Sequence, residues 1–259
     1  MITLLSATVM AAAALAGTIA PPRPVRAASS YPIVELRQYT LHDGKRDTLI
    51  DLFERQFIES QEALGMKVIG TFRDVDRPNR FVWIRGFTGM GARLAGESAF
   101  YGGPVWQAHR NEANATMIDS DNVLLLHAPD AEAAFKPEPM RPAFGEKRKV
   151  HRIVATIYYL KGDPAFAARR FRSDVVPGLK ASGATPLAWF ITETAANNFP
   201  RLPVREGEHM LVWFARFGND ADFAAHKPAL DKAAAELAPE LAREPEVLRL
   251  EPTDRSELR

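Results

Sequence analysis

"FVWIRGF", residues Phe81–Phe87, returns in altered form as "LVWFARF", residues Leu211–Phe217. Both stretches keep Val-Trp, and both place a Phe four positions after the Trp. Both read as strands, in which successive side chains lie on opposite faces. Each is preceded by a second strand-like run, "MKVIGTFRD" (Met66–Asp74) in one case and "ATPLAWFITE" (Ala184–Glu193) in the other. Between Met66–Asp74 and Phe81–Phe87 stands "VDRPN", whose Pro and Asn suit a turn. The two motifs therefore read as the second strands of two hairpins. Their separation of about 130 residues exceeds the periods of solenoid repeats and indicates a duplicated domain-sized unit.

The order of elements around each hairpin is the same. Ahead of the first, Ile33–Leu41 alternates as a strand, Asp43 is placed to cap a helix, and Leu49, Leu52, Phe53 and Phe57 share one helical face. Gly65 supplies the left-handed stop. After the hairpin comes a helical region broken at "YGGP" (Tyr101–Pro104), with Pro104 suited to a first turn, and then a strand over Asp121–Ala128. The second copy runs through a strand over Arg152–Leu160, a helix capped by Asp163, the hairpin, a helix over Asp220–Ala242 with a break at Lys227-Pro228, and a strand over Pro245–Pro252. Each copy is β-α-β-β-α-β, the ferredoxin-like unit of an α+β protein. A unit of this kind covers one sheet face with helices and leaves the other bare, and a bare apolar face must be buried. Two tandem copies do this by packing the bare faces together as a two-repeat α+β barrel. The expected division is a signal-like segment at 1–29, a first repeat at 30–128, a Pro-rich and charged linker at 129–148 with a short helix near Glu132, and a second repeat at 149–259.

These patterns resemble the NIPSNAP family of the dimeric α+β barrel superfamily. The likeness is carried by "ELRQYTLHDGK" (Glu35–Lys45), by the hairpin with "FVWIRGF", and by "FYGGPVWQAHRNEANATMIDSDNVLLL" (Phe100–Leu126). Glu35, Leu36, Arg37 and Tyr39 match the opening of the family pattern, and Gly44 matches its helix-opening glycine. The second copy departs from it, with "RIVATIYYL" (Arg152–Leu160) in place of "VELRQYTL". The resemblance implies an α+β barrel and self-association into a homo-oligomer. It implies no settled reaction, because related barrels include cofactor-free monooxygenases, haem-degrading enzymes and small-molecule binders.

The composition of the 259 residues excludes several classes. Hydrophobic content is 46%, charged content 25%, and 33 basic residues face 32 acidic ones for a net charge of +1, so nucleic acid is not the expected partner. With no cysteine there is no disulfide, thiol nucleophile or thiolate metal site. "GFTGMG" (Gly86–Gly91) lacks the spacing and the Lys of a phosphate loop, and no Ser lies in a nucleophile-elbow context, so no cofactor is expected. The apolar, Ala-rich run Leu4–Ala20 followed by Val25-Arg26-Ala27 reads as an export signal cleaved after Ala27, with a periplasmic or secreted product and no stable membrane span afterwards. A non-functional segment on a cytoplasmic protein is the alternative.

The residues that stand out chemically cluster in the first copy. Glu35 and Arg37 lie two apart on one face of a strand, where they can pair. They are either a structural ion pair or a site in which Arg37 receives an anionic group and Glu35 orients it or moves a proton. Trp83 and Arg85 share a face with Phe81 and Phe87. Trp213 repeats Trp83, but Ala215 replaces Arg85, so Arg85 is the asymmetric member. Trp106 and His109 share one helical face, and His109 and Glu112 lie three apart, a weak metal signal that leaves no metal site expected. Tyr39 completes the pocket candidates Glu35, Arg37, Tyr39, Trp83, Arg85, Trp106 and His109. Three readings follow: a binder of a small apolar or carboxylated molecule, a cofactor-free oxygenase or isomerase, and an assembly module. The last predicts no cavity and a large apolar outer surface.

Overall fold

The computed structural model describes residues 30–136, 140–146 and 149–259. The signal-like run and its expected cleavage after Ala27 lie outside the described residues. Strand β1 (Ile33–Leu41) leads into α1 (Arg46–Leu52), which passes through a π-helical turn (Phe53–Phe57) into α2 (Ile58–Glu62). The hairpin β2 (Lys67–Asp74) and β3 (Arg80–Phe87) follows, then α3 (Met90–Gly102), α4 (Pro104–Asn114) and β4 (Met117–His127). The second unit repeats this with β5 (Arg152–Tyr159), α5 (Pro164–Arg170), a second π-helical turn (Phe171–Val175) and α6 (Val176–Ser182). It continues with β6 (Pro186–Thr192), β7 (Met210–Phe217), α7 (Asp220–Glu236) and β8 (Glu246–Pro252).

The strands close into a barrel in the order β1-β3-β2-β8-β5-β7-β6-β4. Within each unit the order is that of the ferredoxin-like fold, and the units join through the antiparallel pairs β2–β8 and β4–β6. Both repeats are thus parts of one closed sheet with no free edge, which removes the edge-strand liability. The interior is apolar: Val34, Leu36, Val82, Ile84, Leu124 and Leu126 from the first unit meet Ile153, Ala155, Ile157, Val212, Phe214 and Leu248 from the second. The alternate residues of the same strands face outward beneath the helices, where they form two further cores, one per repeat. Pleat alternation therefore puts Glu35, Arg37, Trp83 and Arg85 beneath α1–α4, not inside the barrel.

Several local details differ from the sequence expectations. Asp43 does not cap α1: Lys45 holds that position without a side-chain bond, and the Asp43 carboxylate accepts from Asn79 across the β2–β3 turn. β4 begins at Met117, four residues before the expected Asp121, because it keeps pairing with β1 as far as Leu41. Pro228 does not break α7. Pro228 is exposed, so its missing N–H and its ring lie on the solvent side of the helix. Gly65 does have the left-handed backbone, at φ 81°. The segment between the repeats is also more than a tether. Ala133, Ala134 and Phe135 are buried, and the Phe135 ring packs against Phe190 at 5.3 Å and Phe214 at 5.0 Å within the barrel core. A turn stands over Ala131–Ala133 instead of a helix.

Candidate functional site in the first repeat

β1 and β3 bring Glu35 opposite Arg85 and Arg37 opposite Trp83. α3 adds Arg93 and Glu97, one turn apart on its buried face. All five charged side chains are nearly or fully buried, with Arg37 the most exposed at 1%. Glu35 is the hub. Its Oε2 accepts from Arg37 Nη1 at 2.9 Å and from Arg85 Nη2 at 2.6 Å and Nε at 3.2 Å. Its Oε1 accepts from Arg93 Nε at 2.8 Å. Glu97 Oε1 accepts from Arg85 Nη2 at 2.6 Å. Gln61 Oε1 accepts from Arg85 Nη1 at 3.0 Å, while the Gln61 amide donates to the Phe57 carbonyl in the π-helical turn at 2.9 Å. The irregular turn is thereby tied to the charge network, a placement such turns often have.

The two carboxylates are driven apart in acidity. Burial alone would raise Glu35, but the guanidinium groups of Arg85, Arg37 and Arg93 outweigh it and hold Glu35 well below the usual carboxylate range. Burial, and next the neighbouring Glu35 carboxylate, push Glu97 up to about 8. Three guanidiniums thus face two carboxylates, one of which holds its proton at neutral pH. The cluster carries excess positive charge.

That excess surfaces at Arg37. Its Nη1 is bound by Glu35, its Nε donates to the Tyr39 hydroxyl at 2.9 Å, and its guanidinium carbon stands 5.5 Å from the ring centres of both Tyr39 and Trp83. Nη2 makes no hydrogen bond to another described residue, and Arg37 lines a cavity of about 170 Å³. Tyr39, Tyr101 and Trp106 form one side of this cavity and Phe199, Arg201 and Leu202 the other. The last three belong to the second repeat, on the 17-residue connection 193–209 between β6 and β7, which reaches over the first repeat. Arg93 Nη1 fastens this connection by donating to Asn197 at 3.0 Å and Asn198 at 2.7 Å, and Phe199 stacks on Tyr101 with ring centres 5.9 Å apart.

Among the residues singled out from sequence, Arg37, Tyr39 and Trp106 line the cavity. Trp83 lines a 30 Å³ extension beside it, under Phe53 and Phe57. Glu35 and Arg85 stand behind Arg37 and fix it. His109 lies off the cavity, edge-on to Phe57 at 6.3 Å and 3.7 Å from Glu112. Among the described residues no three His, Asp or Glu side chains converge as a metal-binding group.

Residues 34–131 match the NIPSNAP family. This part of the chain is a NIPSNAP domain. It spans β1 to β4 and contains the whole charge network, while Phe199 and Arg201 reach the cavity from outside the NIPSNAP match. No curated protein matches the sequence. Among solved structures, a monooxygenase candidate from Fusobacterium nucleatum is 11% identical, with a TM-score of 0.57, over 87% of this chain and 94% of that one. A monooxygenase candidate from Lactobacillus acidophilus is 15% identical, with a TM-score of 0.53, over 86% of this chain and 97% of that one. An anthrone oxidase-like protein is 12% identical, with a TM-score of 0.52, over 85% of this chain and 91% of that one. At these identities the likeness establishes the shared two-unit fold.

Arg93, Glu97, Gln61 and Tyr101 in the NIPSNAP domain, and Arg201 beyond it, were not found by sequence reasoning. "ARLAGESAFY" (Ala92–Tyr101) did hold a signal, since Arg93 and Glu97 lie one helical turn apart on a line that also reaches Tyr101. Arg201 carried none, because its distance from Arg37 is set by a long hairpin connection.

Proposed function

We propose that the NIPSNAP domain binds a small single-ring acid, its carboxylate or phenolate oxygen on Arg37 and its ring among Tyr101, Trp106 and Phe199. The observation that carries this reading is the free Nη2 of a buried, rigidly held arginine at the wall of an aromatic cavity. Arg37 is positioned by Glu35 and Tyr39 before any ligand arrives, so little ordering entropy is lost on binding. Arg201 at the rim adds a second positive charge. The volume suits one ring, since a cavity of about 150 Å³ accommodates benzene. Titration with benzoate and salicylate by calorimetry tests the reading. Binding by the parent, weakened about ten- to a hundredfold in Arg37→Met, supports it, as a hydrogen bond to a charged group is worth about 1.5–3 kcal/mol. Equal binding by parent and variant sinks it.

The neighbours described as monooxygenase candidates and as anthrone oxidase-like favour a second reading, in which the bound anion is a phenolate or enolate that reacts with oxygen. Oxygen uptake with hydroquinones, lost in Arg37→Met, would support it. Binding without uptake leaves the first reading. The presence of cavities counts against the assembly-module reading, which expected none.

A further inference from the structure

The second repeat holds a larger cavity than the first, about 410 Å³. It lies at the pseudo-equivalent place. β5 pairs with β7 so that Thr156 faces Trp213, as Arg37 faces Trp83 in the first repeat. Two residues on, Tyr158 stands where Tyr39 stands. Thr156, Tyr158 and Trp213 all line the cavity, and Phe223 and Leu230 of α7 wall it. The hairpin connections explain the difference in size. The first cavity is covered by the 17 residues 193–209 from the second repeat. The corresponding β2–β3 connection of the first repeat is only five residues, 75–79, and reaches the second cavity with little more than Asp76.

We infer that this cleft is a second small-molecule site, built for an uncharged two-ring aromatic ketone or a compound of like shape and carbonyl chemistry. Three observations set that chemistry. First, the duplicate of Arg37 is Thr156, so no cation waits at the floor. Second, the floor offers hydroxyl donors. The Thr156 hydroxyl makes no hydrogen bond to another described residue. The Tyr158 hydroxyl lies beside the Trp213 indole N–H, in loose contact, which leaves its own hydrogen free to donate. Burial pushes Tyr158 up to about 12, so it stays neutral and donating. Third, the rim disfavours anions. Arg249 is taken by Asp76 and lies 3.5 Å from Asp220, and Lys227 is 2.6 Å from Asp231. Glu244 on the same rim has no such partner among the described residues, and the lining carries three acids against two bases. Trp83, the counterpart of Trp213, has only the 30 Å³ extension beside it. The duplicated architecture thus gives two sites of opposite preference, an anion site in the first repeat and a neutral carbonyl site in the second.

The probe is 2-acetonaphthone, with 2-naphthoate as its charged counterpart, titrated calorimetrically into the full chain. The parent should bind 2-acetonaphthone, and 2-naphthoate at least about tenfold more weakly in this cleft. Leu230→Trp, which fills the cleft from α7, should abolish the ketone's binding. Thr156→Val and Tyr158→Phe should each weaken it about fivefold, the worth of one hydrogen bond, and they serve in place of Leu230→Trp if that variant does not fold. Arg37→Met should leave ketone binding unchanged, which separates this inference from the anion reading of the first repeat. The inference is overturned if the parent does not bind the ketone, if Leu230→Trp or the paired hydroxyl variants bind it as the parent does, or if Arg37→Met loses it.

Discussion

Replacing Glu35 with Gln should cost far more stability than replacing Arg37 with Met, although the two residues share one ion pair. The network holds Arg37, Arg85 and Arg93 against Glu35 and a Glu97 that keeps its proton at neutral pH, a formal charge of +2. Glu35→Gln raises that toward +3 and removes the anion to which all three guanidiniums point. Breaking a buried ion pair from one side costs about 3–5 kcal/mol, a large share of a domain's usual stability of about 5–15 kcal/mol. Arg37→Met works in the other direction. It lowers the charge to +1, and Glu35 keeps Arg85 at 2.6 Å and Arg93 at 2.7 Å. The remaining loss is chiefly the hydrogen bond to Tyr39, about 1 kcal/mol. Arg37 is therefore the cation that the fold can spare. Urea unfolding of the parent and both variants, compared at a common m-value, tests the ranking. A Glu35→Gln variant within about 1 kcal/mol of the parent, or an Arg37→Met variant that loses as much as Glu35→Gln, would refute the charge argument.

Glu97 makes the network sensitive to pH. Because its folded pKa is raised, to about 8 from 4.5, the folded state holds a proton that the unfolded chain releases, so this contribution is complete below the unfolded value and is lost as pH rises toward about 8. Urea midpoints should fall across that window in the parent and stay flatter in Glu97→Gln; parallel profiles would exclude Glu97 as the source. Phe135→Ala should cost about 3–5 kcal/mol in the same assay by opening a cavity in the barrel core, whereas a value below about 1 kcal/mol would return residues 129–148 to the status of a tether. Residues 30–128 and 149–259 expressed apart should each aggregate or dimerise, since each exposes one face of the barrel lining and the free edges of β2 and β4 or of β6 and β8. Light scattering that finds two stable monomers would contradict the single-barrel account.

The amino-acid sequence by itself determined the duplication, the β-α-β-β-α-β order and the pairing of Glu35 with Arg37. All three follow from local periodicity and spacing, and a side-chain period of two puts residues i and i+2 on one face in any strand. The sequence also marked the asymmetry between Arg85 and Ala215. It misplaced Asp43 as a cap and Pro228 as a break, where a contact between two loops and solvent exposure outweighed local preference. What only the tertiary structure decided was which partners meet across long intervals. Closure of the barrel through β2–β8 and β4–β6 brings residues 197–202 of one repeat over Arg37 of the other. Glu35 gains Arg93 across 58 positions, and Arg93 reaches Asn197 across 104. No periodicity reports such separations, because they are fixed by sheet closure and by the lengths of two hairpin connections, and those same lengths leave one cavity covered and the other open.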